Sequence, residues 1–273
     1  MKTPVCLPRR HPTRRALVQG MAALLLVPAW QTAHAQLALS TAINRTARFR
    51  ALSQRIAKAY CQVHLKVLPE QARSVLATAQ KLVHSGFADL AKVQWSGDLV
   101  LQLAQVKKMA DSLDALLVLP PTKESVAAVS VQADKMLAAA DTATQSFENL
   151  SKMNTARLVS MAGRQRMLSQ RLAKNYGMAA AGFSNKIAAD QMISDATEFK
   201  QALVILAAAP VSSPGIRQEL GLGESQWIFF DAALQRQPDS RGLEAVATTS
   251  ERLLEVMDKL TGLYDAALQS AVG

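Results

Sequence analysis

Apolar residues recur every three or four positions from about residue 38 to the end of the chain, on a background rich in Ala, Leu, Gln, Lys and Glu. That spacing lines one face of a helix, and these residue types favour helix over strand. No stretch sustains an alternation of β-branched residues, so the pattern predicts an all-α protein. Breakers are few and clustered: Pro69, Ser96-Gly97, Pro120-Pro121, Gly177 to Ser184, Pro210 to Gly223, and Gln237 to Gly242. They divide the chain into helices over roughly 40–66, 70–93, 96–118, 123–150, 156–181, 185–208, 219–236 and 241–270. Trp95 and Trp227 are read as opening the third helix of each half.

The pattern is written twice. Arg48 to Tyr60 matches Arg164 to Tyr176 at nine of thirteen positions, a shift of 116. The shared residues include two arginines, a Leu-Ser-Gln-Arg run, Ala-Lys and a closing Tyr. Further along, a shift of about 117 places Leu137 over Leu254, Asp141 over Asp258 and Phe147 over Tyr264. Each repeat therefore holds four helices joined by short connections, which bury their apolar faces most simply as an up-down four-helix bundle. The chain reads as an export segment at 1–35, a first repeat at 36–152 and a second at 153–273.

Two arrangements of the repeats remain open. Asn149, Ser151 and Asn154 suit a reversal between them, giving an intramolecular pseudo-dimer. However, no Pro or Gly occurs between Pro121 and Gly163. One long helix would instead stack the bundles end to end and leave each motif helix to pair in a homodimer. The pseudo-dimer is the preferred reading.

The motif helix has three faces. Ile43, Ala47, Arg50, Gln54, Ala57 and Cys61 line one, matched by Val159, Gly163, Arg166, Gln170, Ala173 and Gly177. Most of these are small, which allows another helix to come close around a central arginine and glutamine. A second face, Phe49, Leu52, Ile56 and Tyr60, or Gln165, Leu168, Leu172 and Tyr176, is expected to enter its own bundle core. A third carries Arg48, Arg55 and Lys58, or Arg164, Arg171 and Lys174, and is expected to meet solvent or acids.

If the two motif helices pack along the small face, Arg50 and Arg166 converge. Two guanidinium groups held close and partly out of water repel one another. A planar oxyanion between them reverses the sign of that interaction, through charge-assisted hydrogen bonds of roughly 1.5–3 kcal/mol each. The competing reading is that these arginines are solvated or paired with some of the 21 acids.

Composition narrows the setting. The first 35 residues carry Lys2, Arg9, Arg10, Arg14 and Arg15 without an acid, then an apolar run from Ala16 to Trp30 and an Ala33-His34-Ala35 cleavage pattern. Thr13-Arg14-Arg15-Ala16-Leu17 fits a twin-arginine signal, and an ordinary Sec signal fits equally. Both readings place the mature protein in the periplasm. Taking these five charges from 31 Lys+Arg leaves 26 against 21 Asp+Glu, so the formal charge falls from +10 to +5. That mild excess does not argue for nucleic acid. No later apolar run approaches a membrane span, so no stable insertion is expected. Cys61 and His64 stand at helical spacing with no second cluster, so no metal or other cofactor is expected. His64 and His84 are the only histidines after the export segment, and no nucleophile–base set stands out. The chain is not read as an enzyme.

At Ala162 to Lys174, AGRQRMLSQRLAK, the sequence resembles the PilJ-type sensor domain of type IV pilus chemoreceptors. It is also similar to the nitrate-sensing box of NarX/NarQ-type kinases. The first copy keeps that box's opening in Ile43-Asn44-Arg45, and the second keeps Ala162-Gly163. The resemblance implies a helical bundle that binds nitrate or nitrite between two first helices, through an arginine and a glycine backbone from each. By residue match these are Arg50, Arg166 and Gly163, with Ala47 at the other glycine position and Arg45 as a further basic residue of the box. Arg55 and Arg171 match a later arginine with a supporting role, beside Gln54 and Gln170. The 273 residues contain no HAMP-like linker or signalling module, so the resemblance implies a chemoreceptor or membrane-sensor partner. The alternative is a module that binds no ligand and docks on a chemoreceptor, kinase or pilus component.

Overall fold

The computed structural model describes residues 29–95, 97–152 and 154–270, with side chains from Leu39 onward except Thr155. Most of the expected export segment, residues 1–28, lies outside the described residues. Among the described residues the elements are α1 (Ala29–His64), α2 (Pro69–Leu90), α3 (Asp98–Leu117), α4 (Lys123–Ser151), α5 (Asn154–Met178), α6 (Lys186–Ala208), α7 (Pro214–Leu234) and α8 (Ser240–Ser270), with a π-helical turn at Ala179–Phe183. No strand occurs among them. No helix among them is long and apolar enough to cross a membrane.

Local chemistry sets the helix ends. Thr122 caps α4 through a reciprocal capping box with Ser125, and Asn185 accepts from the Ala188 amide at the start of α6. Ser213 caps α7 with Pro214 as its first residue, where the missing N–H costs nothing. The Pro210–Gly223 run is thus only partly a break: α7 starts at Pro214, not near 219. Gly223 stands inside the helix because a Cβ there would lie 2.5 Å from Met257 Cε on α8. Trp227 consequently sits in mid-helix, stacked on Phe199 with its ring centroid 4.4 Å away. Trp95 lies in the loop before α3, with its edge against Phe147. The two tryptophans are not equivalent positions.

A single helix across the repeat junction does not form. α4 ends at Ser151, and Lys152 turns into the left-handed region at φ 53°. Within the first half, α1 packs on α2 and α4, and α3 on α4; within the second, α5 packs on α6 and α8, and α7 on α8. The halves meet chiefly through α1 against α5, with lesser contacts of α1 to α8 and α4 to α5. Phe49, Leu52, Ile56 and Tyr60 are buried on the first copy, and Leu168, Leu172 and Tyr176 on the second. Gln165 lies on the same buried face, its side-chain amide turned back to the Met161 carbonyl at 3.0 Å.

Candidate functional site: paired arginines between α1 and α5

The small-residue faces of α1 and α5 meet in parallel and in register. A Cβ on Gly163 would lie 3.0 Å from Ala47 Cβ, and one on Gly177 would lie 3.6 Å from Cys61 Sγ. Each of these pairs is related by the 116-residue shift, so a pseudo-two-fold axis runs between the helices. Gly163 is needed for this approach, since its missing Cβ would also stand 3.1 Å from Arg166 Nη2.

Arg50 and Arg166 both lie in this seam, each about 2 % exposed, and reach out of it on opposite sides, toward α4 and α8. Arg50 Nη1 donates to Asp141 Oδ1 at 2.8 Å, and its Nη2 donates to the Ser160 carbonyl at 3.1 Å and hydroxyl at 3.2 Å. Arg166 Nη1 donates to Asp258 Oδ1 at 2.7 Å, and its Nη2 to Asn44 Oδ1 at 3.2 Å. The two sets are counterparts: Asp141 and Asp258 are 117 apart, and Asn44 and Ser160 are 116 apart. The Nε–H groups of both arginines are buried without an acceptor, and the side-chain carbonyl oxygens of Gln54 and Gln170 are buried without a donor.

Electrostatics follow from this geometry. Burial pulls the Arg50 guanidinium below its ordinary value against the opposing pull of Asp141. Burial brings Arg166 down to about 10, with repulsion from Arg48 and Arg50 adding to it and Asp258 opposing. Burial works to raise Asp258, but Arg166 and Arg48 outweigh it and hold the carboxyl below the usual range. Each carboxylate bridges one cation from each motif helix. Asp258 accepts from Arg48 and Arg166; Asp141 accepts from Arg50 and lies 3.7 Å from Arg164.

The expectation that these arginines carry uncompensated charge is therefore corrected. The chain's own carboxylates fill one side of each guanidinium fork, because α4 and α8 pass beside the seam and carry an aspartate at the same level. Arg45 does not join the site: it pairs with Asp89 on α2 at 2.7 Å. Arg55 and Arg171 lie outside the seam, on Glu251 and on Asp195 respectively. Gln54 and Gln170 are buried within it, donating to Asp134 at 3.0 Å and to the Ser250 carbonyl at 3.0 Å. The basic outer face is mostly engaged too: Lys58 and Lys174 are buried and reach across to Glu251 at 2.5 Å and Asp134 at 2.6 Å. Sequence reasoning missed Asp141, Asp258, Asn44 and Ser160 as partners. The alignment of Asp141 over Asp258 was the available signal, since an acid retained at one level of both last helices has to face something retained in both first helices.

Two clefts flank the seam, one of about 580 Å³ among α1, α2 and α8, and one of about 500 Å³ among α4, α5 and α6. Arg166 lines the first cleft. No curated protein and no solved structure matches the chain. A family description does match part of it: residues 149–214, which include Gly163, Arg166 and Arg171, match PilJ, the N-terminal part of type IV pili methyl-accepting chemotaxis transducers.

Proposed function

We propose that this chain is a periplasmic sensor or binding module of a pilus-type chemotaxis system, taking up a small oxyanion at the paired arginines. The observation that carries this reading is the burial of two symmetry-related guanidinium groups in the α1/α5 seam, each with an Nε–H lacking an acceptor. Nitrate or nitrite, the ligand implied by the resemblance of the motif, presents planar oxygens that suit such a fork. Entry of the anion exchanges with the carboxylates of Asp141 and Asp258. Because these stand on α4 and α8, the exchange loosens the last helix of each half from the seam, and a transducer partner can read that change. The match of residues 149–214 to a chemotaxis-transducer segment supports such a partner.

Calorimetry of the chain with nitrate, nitrite, sulfate and chloride tests the reading. Nitrate or nitrite should bind in the micromolar to millimolar range, and an Arg50→Ala, Arg166→Ala double variant should lose binding. Asp141→Asn with Asp258→Asn should tighten it, by removing the competing carboxylates. Unchanged affinity in the arginine double variant would sink the assignment.

One observation favours a second reading, docking without a ligand. The forks already hold carboxylates, while α6 and α7 expose Ile193, Val204, Ile228 and Phe229. Arg48, Arg55 and Arg164 are occupied by Asp258, Glu251 and Glu198, so docking would use the apolar surface instead. This reading predicts no heat with any small anion, and loss of transducer capture in Ile228→Ser, Phe229→Ser.

A further inference from the structure

The pseudo-symmetry of the seam is broken in its charges. Around the α4/α5/α6 cleft, Arg50, Arg164, Arg171 and Lys174 are met by Asp141, Glu198, Asp195 and Asp134, four cations by four carboxylates. Their counterparts on the other side are Arg166, Arg48, Arg55 and Lys58. These share only Asp258 and Glu251, four cations on two carboxylates. The difference lies in the second helix of each half. α6 supplies Asp195 and Glu198; the positions 116 earlier on α2 are Ala79 and Leu82. Burial confirms the alignment, since Ala79 and Asp195 are both fully buried, and Val83 and Phe199 both enter the core.

The shortfall is not made up elsewhere among the described residues. Arg252 and Glu255 at the rim of the α1/α2/α8 cleft are both exposed and cancel. Asp89 on α2 is held by Arg45 and Lys92. Asp265 is taken by Ser40 and Asn44. Two of the cations sharing too few carboxylates, Arg166 and Lys58, are almost completely buried, where water screens them least. The cleft on this side is also the roomier one, and Leu52, Leu82 and Leu254 give it an apolar lining between the arginines.

We propose that the α1/α2/α8 cleft binds a short organic dicarboxylate, whose two carboxylates supply the countercharge that Asp195 and Glu198 supply in the other half. Those two residues are three apart on α6, a rise of about 4.5 Å, which is within reach of the ends of a succinate-like chain. One carboxylate faces Arg48 and Arg166, and the other faces Arg55. The carbon chain lies against Leu52, Leu82 and Leu254. A cleft of about 580 Å³ is far larger than an inorganic anion needs. The site shares Arg166 with the oxyanion seam but differs from it in position and ligand, and it stands independently of that reading.

The test is calorimetry on the full chain with succinate, sulfate, acetate and nitrate, repeated on Leu82→Glu and Leu82→Gln. Succinate should bind the unaltered chain at least tenfold more tightly than acetate or sulfate. Leu82→Glu supplies a missing carboxylate in cis and should weaken succinate at least tenfold. Leu82→Gln, similar in size but uncharged, should stay within threefold. Nitrate binding without succinate binding would overturn this proposal and leave the oxyanion reading standing. Succinate binding without nitrate binding would do the reverse. Equal succinate affinity in Leu82→Glu would overturn the placement in this cleft, and so would equal loss in both Leu82 variants.

Discussion

In the second half of the chain, α6 brings Asp195 onto Arg171 as a two-pronged pair at 2.7 and 2.6 Å and Glu198 onto Arg164. In the first half, α2 offers Ala79 and Leu82 at those levels, and Arg55 and Arg48 turn instead to Glu251 and Asp258 on α8. The same arginine in the same motif is thus neutralised from within its own half in one case and from the opposite half in the other. The seam itself, with Arg50 and Arg166 in matching hydrogen bonds, is held alike in both copies. The two halves share the close helix approach and differ in their outer charges. One side is electrically closed and the other is short of carboxylates.

Breaking the closed side should have the largest effect. Asp195 is fully buried and its removal in Asp195→Ala strands Arg171, so the chain should lose about 3–5 kcal/mol in urea unfolding. A loss under about 1 kcal/mol would mean that Arg171 finds Asp134 as readily as Arg55 finds Glu251.

The open side should instead show itself in acid. Burial works to raise Glu251, but Lys58 and Arg55 outweigh it and hold its carboxyl at about 2, against an ordinary 4.5. A depressed folded value contributes stability that is complete above about pH 4.5 and is lost as pH falls to about 2. That contribution is on the order of 3 kcal/mol. Urea midpoints measured between pH 5 and 2 should fall along this limb, and Glu251→Gln should flatten it.

The seam gives a smaller asymmetry. Gly163→Ala places a methyl 3.0 Å from Ala47 Cβ and should cost about 1–3 kcal/mol by prising α1 from α5. The mirror change, Ala47→Gly, removes that methyl and should cost only about 1 kcal/mol, the ordinary penalty of glycine within a helix. Equal losses in thermal unfolding would mean that the axis does not pass between these two residues. Smallest of all, Cys61 should stay unreactive to a thiol reagent at pH 8 until the chain unfolds, because burial pushes its thiol up to about 12.

Much of this organisation is legible in the residues. Helix periodicity and breakers locate nearly every element, and the miss at α7 arises because Pro214, read as part of a break, opens the helix and Gly223 serves a close helix contact at Met257. The stripe of Ala47, Arg50, Gln54 and Ala57 with its copy is the packing face in the structure, since small residues at helical spacing have few other uses. Arg45 was misjudged because its place in the motif said nothing of Asp89, which lies on another helix.

What the sequence alone determined is therefore what depends on neighbours within a turn or two: helix content, helix ends, the repeat, and which face of α1 and α5 is narrow enough to pack. Tertiary structure decided which carboxylate meets which cation. Arg50 finds Asp141 at a separation of 91 residues, Arg166 finds Asp258 at 92, and Lys58 reaches Glu251 at 193. Such pairings depend on the register between helices and on which competing acid stands nearer. No local pattern encodes that choice, and the unequal neutralisation of two nearly identical helices follows from it.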